Sequence, residues 1–160
     1  MDFAKKLEES ESFAEIFDLV KKSVQESLDR RREGLMIALQ YLPENLGAYY
    51  GLGSNFIVMN KALLEKFNAA YDEKDTNAYV FSILMHEYLH SLGYVDEEYA
   101  RALTYQVCKA VLGEGHLATK IARDGIGAFI NPSPRGMKGQ ENEGIEVVDS
   151  FTIEHITYIG

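Results

Sequence analysis

Along the N-terminal stretch the apolar positions fall on a helical period: Phe13, Phe17, Val20, Val24 and Leu28 recur every three or four residues, with Lys and Glu between them. The spacing predicts one long amphipathic helix over 2–31, its apolar stripe packed on a sheet, with Gly34 as the residue expected to end it. Acidic residues interleave with the lysines, which disfavours the alternative of a helix lying on an anionic membrane. The period then shortens. Residues 35–42 read as a buried strand that stops at the turn around Pro43, 48–51 as a short strand flanked by glycines, and 55–60 as a third strand bounded by asparagines. Helical spacing returns at Leu63, Leu64 and Phe67 over 61–71, and the charged run 72–75 is expected to form the loop into the next helix.

That next helix has two strips. Tyr79, Ile83, His86, His90 and Gly93 share one, while Phe81, Leu84, Met85, Tyr88 and Leu92 share another, so one face packs and the other is free for chemistry. Gly93, at ease in the left-handed region, is suited to ending it. A further amphipathic helix on Ala100, Leu103, Val107 and Val111 is expected to close at Gly113, and His116 to open a short helix through Ala122. Five glycines and two prolines over 124–144 read as a flexible loop or lid, and 145–159 as two short strands that could pair with a cleft edge and block it. The order of elements predicts a single α+β domain: an N-terminal helix (1–33), a core (34–123) in which a small mixed sheet packs on the central helix and further helices, and a C-terminal loop and strands (124–160).

The chemistry is stated at His86-Glu87-Tyr88-Leu89-His90, an HExxH string on that central helix. Residues four apart lie one above the other, so the two imidazoles converge on a single ion, and two nitrogen ligands at this spacing suit zinc. Glu87, beside His86, is positioned as general base for a water on the metal's open position, the arrangement of a metal-assisted hydrolase. Spacing favours Asp96, six residues beyond His90, as third ligand. Asp is also a preferred helix N-cap, in which case Glu97 or Glu98 reaches the metal instead. His116 is a further candidate ligand, and Tyr99 either orients a ligand or packs half-buried.

The string from His86 to Asp96, HExxHxxGxxD, resembles the extended motif of the metzincin clan of zinc proteases, HExxHxxGxxH/D, snapalysin-like members of which carry Asp at the last position. It is similar as well to the bacterial ribosomal-RNA-maturation endoribonuclease family, whose HxxxHxxGxxH lacks a glutamate where Glu87 stands. More loosely, the middle half of the chain looks like small archaeal-type zincins, minigluzincins among them. The resemblance implies a zincin-like fold, one catalytic zinc with Asp96 as third ligand, and peptidase activity on a peptide or protein substrate. It also implies an exposed edge strand that pairs with extended peptide, for which 48–51 is the expected element. Metzincins set a methionine turn beneath the zinc, and Met137 is the downstream candidate.

Composition narrows the choice. A net charge of −9 excludes nucleic-acid binding through a broad basic surface, which counts against an endoribonuclease; a non-catalytic zinc-stabilised binding module is the second competing reading. The basic run Arg30-Arg31-Arg32 is expected to complement the dipole of the helix before it. Cys108, the single cysteine, makes no intramolecular disulfide and, beside Val107 and Val111, reads as a buried thiol. His155, like His116, is expected to be an ordinary hydrogen-bonded histidine. The N-terminus has no apolar signal region and no run is long enough to span a bilayer, so a cytoplasmic setting without membrane contact is expected.

Overall fold

The computed structural model describes residues 1–130 and, as backbone, a two-residue strand at Glu146–Val147; Met137, His155 and the other C-terminal positions, with the blocking strands expected there, lie outside the described residues. The N-terminal amphipathic stretch folds as two helices rather than one, α1 (Phe3–Glu8) and α2 (Phe13–Leu28). The break is local chemistry: Ser12 is extended and its hydroxyl accepts the Glu15 N–H, starting a new helix. It is also held from outside. Asn77, 3% exposed, donates from its amide to Ser10 O at 2.9 Å and to Leu7 O at 3.0 Å, where it joins the Ser10 N–H that already closes the end of α1. α2 ends at Asp29, in the left-handed region at φ 53°, before Gly34 is reached.

Three strands follow, β1 (Met36–Gln40), β2 (Ala48–Tyr50) and β3 (Phe56–Asn60). β1 pairs parallel with β3, Ile37 opposite Ile57, and β2 pairs antiparallel with β3, Tyr49 opposite Val58. With β4 (Glu146–Val147) antiparallel to β1, the order is β2-β3-β1-β4, which leaves β2 on an edge, as expected for 48–51. Asn60 holds the loop before that edge: it accepts from Leu42 N and donates to Leu42 O, Pro43 O and Leu46 O, while its oxygen also caps the next helix at Ala62 N.

α3 (Lys61–Ala70) leads to α4 (Glu73–Ser91), and the charged run 72–75 is the start of α4, not a loop. Asp72 caps it by accepting the Asp75 N–H at 2.9 Å, and Glu73 and Asp75 sit where the helix dipole favours anions. α5 (Glu97–Leu112), α6 (Leu117–Asp124) and a 3₁₀ turn at Ile126–Ala128 complete six α-helices among the described residues. α4 is the hub, touching all the other helices as well as β2 and β3. From Thr76 to Ser91 every residue is buried except Ile83, His86 and His90, which lie three and four positions apart on one line. The rest of the helix is wrapped by core: Ile37, Leu39, Ile57 and Met59 from the sheet's inner face and Phe13, Phe17 and Val20 from α2.

The arginine run complements a different helix from the one before it. Arg30 donates to Leu92 O and Arg32 to Ser91 O, both at 2.7 Å, so they serve the C-terminus of α4 rather than that of α2. Arg32 also reaches Tyr50 Oη at 3.1 Å, tying that end of α4 to β2. Cys108 is buried, its thiol pushed up to about 12 by desolvation. No described helix is long and apolar enough to cross a membrane.

Candidate metal site

The open line on α4 presents His86 and His90, and Glu97 from the first turn of α5 completes the cluster. Glu97 Oε1 lies 3.0 Å from His86 Nε2 and 2.9 Å from His90 Nε2, and one donor atom from each of the three residues lies within 4.8 Å of the others. Donor atoms on one zinc at 2.0–2.1 Å are about 3.3 Å apart in a tetrahedron. The carboxylate contacts therefore differ from that geometry by a few tenths of an ångström, well within side-chain movement.

The turn between α4 and α5 sets this up. Gly93 adopts φ 105°, and the chain folds back so that Tyr94 N donates to Leu89 O while Tyr94 O accepts from His90 Nδ1 at 2.8 Å. A carbonyl only accepts, so Nδ1 carries the proton and the neutral His90 ring turns the Nε2 lone pair toward Glu97. A lone pair facing a carboxylate at 2.9 Å is favourable only with a cation between them: a second proton on the ring, or a metal ion. Burial pushes His86 below the ordinary histidine value, which disfavours filling the cluster with protons. The donor set, imidazole nitrogens and a carboxylate oxygen, fits a divalent ion of the zinc type.

Asp96, favoured by spacing, is not brought to the histidines. Its Oδ2 accepts the Tyr99 N–H at 2.8 Å and caps α5, and the next residue is the one that reaches them. Glu98 and His116 are not brought there either. Glu98 lines an outer groove with Arg101, Tyr105 and Arg123, and His116 caps α6, its Nδ1 accepting the Ala118 N–H at 3.1 Å. Tyr99 is exposed, its ring tilted on that of Tyr94 with centroids 5.8 Å apart.

Partial burial raises Glu97, but its contacts to His90 and His86, with a cation between ring nitrogen and carboxylate, outweigh it and hold the carboxyl at about 2. Glu87 goes the other way. At 5% exposure, desolvation raises it to about 7 against the lowering pull of His90, with Glu97 adding to the rise and a hydrogen bond from the Tyr50 backbone opposing it. One of two neighbouring carboxyls is thus held as an anion and the other sits near neutrality, able to take or give a proton.

A cavity of about 250 Å³ opens beside these groups, with Ile83 and Ala48 on one side and Ile121, Ala122 and Ile126 on the other. Gly47 lets β2 come this close: a Cβ there would stand 2.9 Å from Ile83 Cδ1. Asn60 N donates to Gly47 O at 2.9 Å, and the alternation of an antiparallel pair then turns the N–H and C=O of Ala48 and Tyr50 away from β3. Tyr50 N–H goes to Glu87, and Ala48 faces the cavity.

In the sequence, spacing ranks Glu97 behind Asp96, and nothing there singles out Tyr94 or Tyr50, whose backbone groups carry no residue signal. Arg101 does carry one, its position four residues after Glu97 on the same helix face. Comparison with protein-family models, curated proteins and solved structures finds no match to this chain.

Proposed function

We propose that the protein is a zinc-dependent metallopeptidase of zincin type, with His86, His90 and Glu97 as metal ligands and Glu87 as general base. The observation that carries this reading is the convergence of His90 Nε2, His86 Nε2 and one oxygen of Glu97, with His90 Nδ1 already committed to Tyr94 O. Zinc, when bound, supplies Lewis acidity toward the scissile carbonyl and acidifies water. The chain does the rest. Tyr94 O keeps the His90 ring in the tautomer that ligates. Glu87, poised near neutrality and steadied by the Tyr50 N–H, takes a proton from the attacking water at its carboxylate and returns it to the leaving amine. Ala48, on the edge strand, offers a backbone N–H and C=O for an extended peptide, which supports a peptide over an RNA as substrate. The reading assumes a cytoplasmic setting, which a buried, unpaired Cys108 suits.

Metal analysis and a peptidase screen on the wild type and Glu87→Gln test it. The expected result is one zinc per chain in both, with hydrolysis lost by roughly 10²–10⁴-fold in the variant. A non-catalytic zinc module predicts otherwise: chelation lowers thermal stability strongly while Glu87→Gln changes no function. Protein that takes up no zinc refutes both.

A further inference from the structure

Building on the peptidase reading of this cleft, we propose that it selects a substrate with an apolar side chain next to the scissile bond and a carboxylate about two residues away, bound by Arg101. The cavity beside His86 and Glu87 runs back along α4 to Ser82 and Ile83 and is closed opposite by Ile121, Ala122 and Ile126. Its 250 Å³ is below the roughly 300–1,000 Å³ of whole-ligand pockets, so it suits a single aliphatic or aromatic side chain.

Arg101 stands at the rim. Among the described residues lining the cavity it is the one Lys or Arg, its side chain is 61% exposed, and its contact with Glu97 Oε2 at 3.3 Å uses one of five N–H donors. An exposed pair at this spacing is weak and yields readily to a better-placed anion. Charge favours that exchange: a divalent ion engages the Glu97 carboxylate and so weakens its hold on the Arg101 guanidinium, which shares the outer groove with Glu98 and Arg123. In a chain of net charge −9 this is a local site for an anion. Arg101 lies one helical turn beyond Glu97, about 6 Å along α5, which is about two residues of extended peptide. Guanidinium geometry matches a carboxylate in bidentate fashion. The carboxylate is either the substrate's C-terminus or an Asp or Glu side chain, and the two are separable by experiment.

Calorimetric binding to the full, zinc-loaded Glu87→Gln chain tests this with three peptides that share a leucine after the bond. One ends two residues past the bond in a free carboxylate, the second is its C-terminal amide, and the third continues in amidated form with Asp at that position. The expected result is that the free acid, the Asp peptide or both bind about tenfold tighter than the amide, and whichever gains names the source of the carboxylate. Adding Arg101→Gln should abolish that ratio, whereas Arg101→Lys should retain part of it. The ratio is the informative readout, because a change in metal occupancy alone moves all three affinities together. Equal affinities, no binding in any arm, or a preference that survives Arg101→Gln overturns the inference. If the wild type holds zinc and cleaves acid and amide peptides alike, this inference falls and the peptidase reading stands. If no zinc is bound and nothing is cleaved, both fall.

Discussion

The division of labour between two adjacent acidic residues, Asp96 and Glu97, has sharp consequences. In the structure Asp96 caps α5 through one hydrogen bond of 2.8 Å to Tyr99 N, and Glu97 closes on both histidines within 3.0 Å. Three substitutions separate these roles. Asp96→Asn keeps an N-cap acceptor and removes a charge, so stability and zinc affinity should both stay near wild type. Asp96→Ala removes the cap, which costs about 1 kcal/mol and lowers Tm by about 2–4 °C in a chain of this size, with zinc affinity changed less than about tenfold. Glu97→Gln leaves the cap intact and takes away the proposed ligand. Structural zinc sites are worth roughly 10–16 kcal/mol over four ligands, about 3 kcal/mol each, so the loss should be roughly 10²–10³-fold in zinc affinity, with the metal-free Tm also lowered at neutral pH because the anion that the histidines stabilise is gone. Chelator competition reads the first quantity and thermal melts of the stripped proteins the second. If Asp96→Asn weakens zinc as much as Glu97→Gln does, Asp96 is a ligand and the geometry argued for Glu97 is wrong.

Other consequences follow from single contacts. Glu87 is raised from 4.5 to about 7 by burial, so its folded form prefers the proton; its contribution to stability is intact below pH 4.5 and is lost as pH rises through 7. At 1.36 kcal/mol per pKa unit this amounts to about 3 kcal/mol, so metal-free Glu87→Gln should be more stable than metal-free wild type at pH 8 and similar at pH 4.5 by urea denaturation; parallel pH profiles would refute the assignment. Asn77→Ala strips the amide from Ser10 O, while Leu7 O keeps the Ser10 N–H, and urea melts should show a loss of about 1–3 kcal/mol; a loss under about 0.5 kcal/mol would mean the α1–α2 junction does not depend on it. Gly47→Ala places a methyl 2.9 Å from Ile83 Cδ1, the free end of a half-buried side chain that can turn aside into the cavity, so it should cost less than about 1 kcal/mol while narrowing the cavity and, on the peptidase reading, lowering kcat/KM for peptides; an unchanged rate would show that the cavity beside Ile83 is not used.

Much of the site was legible because it is local. His86, Glu87 and His90 share one helix, and a period of 3.6 residues brings i and i+4 together whatever surrounds them. Gly93 ending that helix, Gly113 closing α5 and His116 opening α6 follow in the same way from backbone conformation and capping. So do the three strands, each bounded by turn residues and each found within two residues of the expected place.

Other features depended on which local option the rest of the chain supports. The apolar stripe over 2–31 runs on through Ser10-Glu11-Ser12, and nothing in its period marks the break that Ser12 initiates and Asn77, more than sixty residues on, sustains. The run 72–75 is as apt for a cap and acidic first turn as for a loop, and the packing of α4 against every other helix favours the former. Arg30 and Arg32 lie next to one helix end in sequence but reach another in space. Asp96 and Glu97 differ by a single position, and spacing along a chain counts residues rather than directions. The short Asp side chain folds back on its own backbone, while the longer Glu, one step into the helix, points across to α4. By itself the sequence determined which atoms are able to hold a metal; only the tertiary structure, by orienting α5 against α4, decided which of the two carboxylates arrives at the histidines.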